Sequence, residues 1–231
     1  MSNLLPGMLG TSAPYFAIAV SQEQKDYAKR IVEYSIAHHP ITDIFAHDPD
    51  GKRRQFEFRF TGSLGEVVFA DAYKLPRPTR SFGAVDGQDF GQDFQLPYNG
   101  KLASIDVKSM HRKSNRFLEN YVLNIPGYQI NKDISLTDYY FCISLHDYNG
   151  VTYASFLGLI DKRKVLDGEI GDLFVSGTTR IRQDGTTFRF MRDTYEIMFR
   201  HILAPPITPY IQTLPGFRKI YLLPGRKDNL Y

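Results

Sequence analysis

Apolar residues recur at helical spacing in the first third of the chain and at strand spacing or in unbroken runs beyond it. From Ser21, an N-cap with an acid in the first turn, Tyr27, Ile31, Tyr34 and Ser35 mark one helix face up to His38-His39-Pro40. Residues 62–73 give a second helix, with Ser63 as N-cap and Leu64, Val67, Val68 and Ala72 on its apolar stripe. After Leu75-Pro-Arg-Pro78 the period changes. Asn99-Gly100 is a type I′ turn signal, because both central residues need positive φ. It predicts a hairpin over residues 91–109 in which Tyr98 faces Lys101, Leu96 faces Ala103 and Asp93 faces Asp106. Residues 121–125, 139–145 and 151–157 read as strands, the last two joined by Asn149-Gly150, and 161–166 as a short helix. The run at 139–145 is almost wholly apolar, as in a sheet covered on both faces. A second hairpin around Asp184-Gly185 sets Arg180 opposite Arg189 and Arg182 opposite Thr187, with Ile181, Phe188 and Phe190 on the other face. A proline-rich tail follows, with a strand-like piece at 219–223.

The first hairpin carries the chemistry. Pro97 and Leu102 form a non-hydrogen-bonded pair, so the missing proline N–H costs the ladder nothing. The same alternation puts Asp93 and Asp106 in a non-hydrogen-bonded pair on one face, where opposed like charges destabilise a strand pair. A divalent cation removes that objection, since hard cations collect carboxylate oxygens. Lys108 projects from the face of Asp106, while Val107 points into the core with its carbonyl near the same edge. Two carboxylates, a lysine and a carbonyl make a metal-site pattern. The Asp/Glu-x-Lys pattern also occurs at Glu23-Gln-Lys25 and Asp50-Gly-Lys52, but only Asp106-Val-Lys108 has a strand context and an upstream acidic partner strand.

Asp93, twelve intervening residues, then Asp106-Val107-Lys108 resembles the PD-(D/E)XK nuclease superfamily, which includes type II restriction enzymes and Holliday-junction resolvases. The resemblance covers residues 55 to 165, and Gln92 stands where the family name has proline. It implies an α/β, restriction-endonuclease-like core: a mixed central sheet flanked by helices, with N- and C-terminal extensions. It implies a metal-dependent endodeoxyribonuclease, a type II restriction endonuclease among the forms, using Mg²⁺ with Mn²⁺ as a substitute. Asp93, Asp106 and the Val107 carbonyl would hold the metal, Lys108 would act on water or phosphate, and Glu66, on the preceding helix, would complete the site. Gln129 falls where some relatives place a polar residue near the lysine. The alternative is a catalytically inactive nuclease-fold protein that binds nucleic acid or serves an assembly.

Two tandem copies of Gly-Gln-Asp-Phe, at 87–90 and 91–94, leave Asp89 as a second candidate for the strand aspartate; the hairpin register favours Asp93. The DNA partner would meet Arg112, Lys113 and Arg116 after the active strand, and Arg180, Arg182 and Arg189 on the second hairpin, because guanidinium forks match phosphate oxygens. The alternative for each is a solvated or acid-paired surface. His38 and His39, at a helix end before proline, read as capping or surface residues.

With 231 residues and 42% hydrophobic content, the chain suits one domain with a full core. Within it, 55–165 is the nuclease-like core, 1–54 an N-terminal arm and helix, and 166–231 a C-terminal hairpin and extended tail that wraps the domain or mediates a homodimer. A net charge of +3 permits a nucleic-acid partner without demanding one. The single cysteine, Cys142, excludes a disulfide framework and a cysteine-based zinc site and suits a reducing cytoplasm. No Lys or Arg precedes Lys25, Pro6, Gly7, Gly10 and Pro14 break the first segment, and no window is long enough to span a bilayer, so neither a signal peptide nor a membrane partner is expected.

Overall fold

The computed structural model describes residues 14–38, 50–79, 93–112, 121–131, 136–181 and 187–221. Their elements are β1 (Pro14–Ala19), α1 (Gln22–His38), α2 (Gly51–Tyr73), β2 (Phe94–Tyr98), β3 (Lys101–His111), β4 (Val122–Pro126), α3 (Gly127–Ile130), β5 (Tyr139–Tyr148), β6 (Val151–Asp161), α4 (Lys162–Leu166), β7 (Asp172–Phe174), β8 (Thr179–Ile181), β9 (Thr187–Arg189), β10 (Thr194–Met198) and β11 (Arg218–Tyr221). The fold is mixed α/β. A six-stranded sheet runs β11-β1-β6-β5-β3-β2, in which β3 and β5 are parallel and the other neighbours antiparallel. A three-stranded sheet, β4-β10-β7, and the β8–β9 pair stand beside it.

The start of α1 has a local cause. The Ser21 Oγ accepts the Gln24 N–H at 3.1 Å and the Gln24 Oε1 accepts the Ser21 N–H at 2.9 Å, a reciprocal capping box. α2 starts at Gly51, eleven residues ahead of the stripe that predicts it at 62, and the basic run at 52–54 lies exposed in its first turn. Cations there oppose the helix dipole; Arg53 offsets this by bonding Asp50 and Glu57. The Leu64, Val67, Val68 and Ala72 stripe is fully buried.

Both faces of the large sheet are covered, which accounts for the apolar run in β5. One face packs Phe16, Phe141 and Ile143 against α1 and α2 through Ile31, Leu64, Val68 and Phe69. The other packs Tyr15, Tyr140, Cys142 and Ile160 against Ile125, Ile130, Val165, Ile197 and Phe199. The terminal segments complete this sheet. β1 pairs with β6, and β11 pairs with β1 from the far end of the chain.

Both Asn-Gly turns adopt positive φ at each central residue, Asn99 and Gly100 at 49° and 77°, Asn149 and Gly150 at 50° and 76°. The first hairpin keeps the expected register, with Tyr98 opposite Lys101 and Leu96 opposite Ala103. The second does not. Thr179 faces Arg189, Arg180 faces Phe188 and Ile181 faces Thr187. An odd number of residues connects β8 to β9, so the ladder is offset by one from a two-residue turn at 184–185, which itself lies outside the described residues. A one-residue slip exchanges the faces, so Arg180 and Arg189 do not share a surface and Ile181 is 72% exposed.

Candidate active site

The β2–β3 hairpin, α2 and the underside of the sheet meet where β2 begins. Asp93 stands one residue ahead of β2, and its N–H donates to the Ile105 carbonyl at 2.8 Å. The ladder therefore ends at Phe94–Ile105, and Asp93 does not stand square to Asp106 as the register implied. Its side chain turns inward, and Oδ2 accepts the Val107 N–H at 2.7 Å. Because a strand residue's N–H and C=O project to the same side, the Val107 carbonyl also points to this edge. The Val107 side chain is buried against α2, as expected.

Asp106 and Lys108 project from the opposite face, over β5. Asp106 pairs with Tyr140 and Lys108 with Cys142 across the parallel ladder. The Lys108 ammonium donates to both carboxylate oxygens of Asp106, at 2.7 and 2.8 Å. It also lies 5.6 Å from the centre of the Tyr140 ring, whose hydroxyl donates to the Gln129 carbonyl at 3.2 Å. The Gln129 Oε1 is buried and accepts no hydrogen bond. Gln129 is thus one residue removed from the lysine.

Glu66 enters from the helix layer. α2 lies so close to β3 at Gly65 that a β-carbon there would be 3.8 Å from the Val107 Cγ1 and would overlap Ser109. Glu66 follows directly, and its charge is felt at Asp93. Burial is the leading reason that the Asp93 carboxyl is pushed well above its ordinary range, followed by the charges of Glu66 and Asp106; the Val107 N–H and Lys108 act the other way. Glu66, Asp93, Asp106 and Lys108 therefore form one electrostatic unit, reached from both faces at the sheet edge.

The donor set suits a hard divalent cation in charge and atom type: three carboxylates and a carbonyl, with an aspartate whose ionised form is under-compensated. In the arrangement described, Lys108 closes both oxygens of Asp106, and among the described residues no three His, Cys, Asp or Glu side chains are grouped to hold a metal.

The predicted basic contacts divide. Arg112 is committed to the second layer: it donates to the Val122 carbonyl at 3.0 Å and lies over the Tyr121 and Phe199 rings at 5.0 and 5.1 Å. Arg180 is bound to the buried Glu196 and stacks on Phe174, so its guanidinium faces inward. Arg189 is exposed. Lys113, Arg116, Arg182 and Asp89 lie outside the described residues.

One group escaped the sequence reading. Lys162, the first residue of α4, is 8% exposed, and burial lowers its ammonium pKa while the Asp106 charge opposes the shift. The signal available was an N-cap aspartate directly followed by lysine at the end of a buried strand. Among the described residues, no helix is long and apolar enough to cross a membrane. No protein-family model, curated protein or solved structure matches the chain.

Proposed function

We propose that this chain is a metal-dependent endodeoxyribonuclease with a restriction-endonuclease-like core. The observation that carries the reading is that the Asp93 carboxylate accepts the N–H of Val107, the residue between the paired Asp106 and Lys108, and that it feels the charges of Glu66, Asp106 and Lys108. The fold reading is supported by a helix, an antiparallel hairpin and a parallel neighbour strand in that chain order.

Asp93, Asp106 and the Val107 carbonyl would hold Mg²⁺ or Mn²⁺, with Glu66 acting through its water shell. When bound, the cation polarises the scissile phosphate and acidifies a water. The chain's own contribution is positional. The Val107 N–H fixes the Asp93 carboxylate, and Tyr140 supports the Lys108 ammonium from beneath. Lys108, released from Asp106 to a phosphate oxygen, places a positive charge where negative charge develops as water adds to phosphorus and the P–O ester bond breaks.

The test is a gel assay of purified protein on plasmid DNA with Mg²⁺, Mn²⁺ or EDTA, beside Asp106→Asn and Lys108→Ala. Cleavage that needs metal and is absent from both variants, with circular dichroism unchanged, is the expected result. Discrete fragments would identify a sequence-specific enzyme, and smearing or nicking a nonspecific or structure-specific one. Unchanged cleavage in either variant overturns the assignment. The closed Lys108–Asp106 pair favours a second reading, a nuclease-fold binding protein without turnover, which DNA binding with no cleavage on duplex, branched or single-stranded substrates would establish.

A further inference from the structure

Beside Lys162 the sheet opens into a cleft of about 440 Å³, formed by the start of β3, the segment leading into β5, the end of β6 and α4. Ligand sites commonly span roughly 300–1,000 Å³, and one nucleotide unit falls within this volume. Three acids line it, Asp138, Asp161 and the exposed Asp167, and the first two are held by backbone N–H groups. Asp161 caps α4, accepting the Arg163 and Lys164 N–H groups at 2.9 and 3.3 Å. Asp138 accepts the Ser104 N–H at 2.9 Å and faces Lys101 at 3.7 Å. Lys101 and Arg163 are exposed at the rim, and the buried Lys162 closes the inner end. Tyr139 and Leu166 add an apolar wall. Three cations, an apolar wall and two acids already engaged by backbone N–H groups suit a phosphate joined to a sugar and a base, with Asp167 at the exposed edge.

Lys162 also links this cleft to the candidate active site. Asp106, Tyr140 and Ile160 lie in one row across the sheet, and Lys162 follows Ile160 by two residues on the side where Val165 packs. The Asp106 charge acts on its ammonium. A ligand in the cleft therefore meets, at Lys162, a cation on which the Asp106 charge acts.

We infer that the cleft bounded by Lys101, Lys162 and Arg163 holds a nucleotide unit of the strand next to the scissile phosphate. The inference rests on the nuclease reading and names where its substrate runs. Duplex DNA offers no free nucleotide unit without unstacking, so the cleft selects single-stranded or splayed ends.

The experiment is fluorescence anisotropy in EDTA with a labelled single-stranded oligonucleotide and its duplex, on wild type, Lys101→Glu, Arg163→Glu and Lys29→Glu. Lys29, on α1, is an exposed control carrying the same charge change. Single-strand affinity should fall about five-fold at 0.1 M salt for each cleft variant, and the salt slope by about 0.7, the value of one lost phosphate contact. Lys29→Glu should match wild type. Wild-type binding with no loss in either cleft variant, or the same loss in Lys29→Glu, overturns the cleft while leaving the nuclease reading standing. No wild-type binding to any DNA sinks that reading itself. Competition by free deoxynucleoside monophosphate without strand binding would assign the cleft to a small nucleotide and overturn the strand path.

Discussion

Gly65 of α2 rests directly on Ser109 of β3, so that a β-carbon at position 65 would overlap the Ser109 hydroxyl and come within 2.6 Å of its Cβ. This contact sets the height of the helix over the strand that carries Asp106 and Lys108, and Glu66 is the next residue along. Gly65→Ala gains about 1 kcal/mol of helix propensity but overpacks a buried contact, at a cost of about 1–3 kcal/mol or more. The Ser109 hydroxyl could rotate away; its Cβ could not. The steric cost wins, and thermal unfolding should record a fall of several degrees together with weakened cleavage. Pairing Gly65→Ala with Ser109→Gly should restore part of both. An unchanged melting temperature in the single variant would show that the helix is not seated there.

The parts of the molecule legible beforehand were those fixed by near neighbours in sequence. The β2–β3 register followed from Asn99-Gly100 and Pro97, and the buried stripe of α2 from its spacing. What escaped depends on distant partners or on loop length. β1 and β11 join the sheet through pairings about 140 and 200 residues away, which local pattern does not encode. Phe56, Phe58 and Phe60 alternate like a strand, yet they lie in α2 with Phe58 67% exposed. One residue of loop length decided the β8–β9 faces, and with them the fate of Arg180.

The raised Asp93 carboxyl gives a pH dependence with a definite sign. Its folded pKa lies above its ordinary value of 3.8, so the folded state favours the protonated form. The stability that this group contributes is complete below about 3.8 and is lost as pH rises through the folded value. Asp93→Asn keeps an acceptor for the Val107 N–H and removes the titration. In EDTA the variant should match wild type near pH 4 and melt higher than wild type at neutral pH. A variant that melts lower throughout would mean that Asp93 is stabilised as the anion, against the burial argument.

Arg180 and Arg189 should separate by phenotype. Arg180 bonds Glu196, which is 6% exposed, so Arg180→Ala leaves a buried carboxylate uncompensated. That costs on the order of 2 kcal/mol or more. Arg189→Ala, on an exposed position, should leave stability within about 0.5 kcal/mol. Urea denaturation measures both. Loss of DNA binding by a fully stable Arg180→Ala protein would return Arg180 to the nucleic-acid surface.

Lys108 competes with the proposed cation for Asp106, since both carboxylate oxygens already accept from its ammonium. Removing the lysine should therefore have opposite effects on binding and turnover. Lys108→Ala frees both oxygens and deletes a positive charge beside three acids, which favours Mg²⁺ at the site; it also deletes the charge that would face the phosphate. A ligand that binds only the folded state stabilises it by RT ln(1 + [L]/Kd), so a ten-fold tighter site adds about 1.4 kcal/mol when metal is in excess. Differential scanning fluorimetry across a Mg²⁺ titration should show a larger metal-induced shift for Lys108→Ala than for wild type, abolished by EDTA, while cleavage is lost. Asp106→Asn should lose shift and cleavage together. If Lys108→Ala instead loses the Mg²⁺ response, the lysine supports the metal site rather than competing for it, and its release from Asp106 is no part of the reaction.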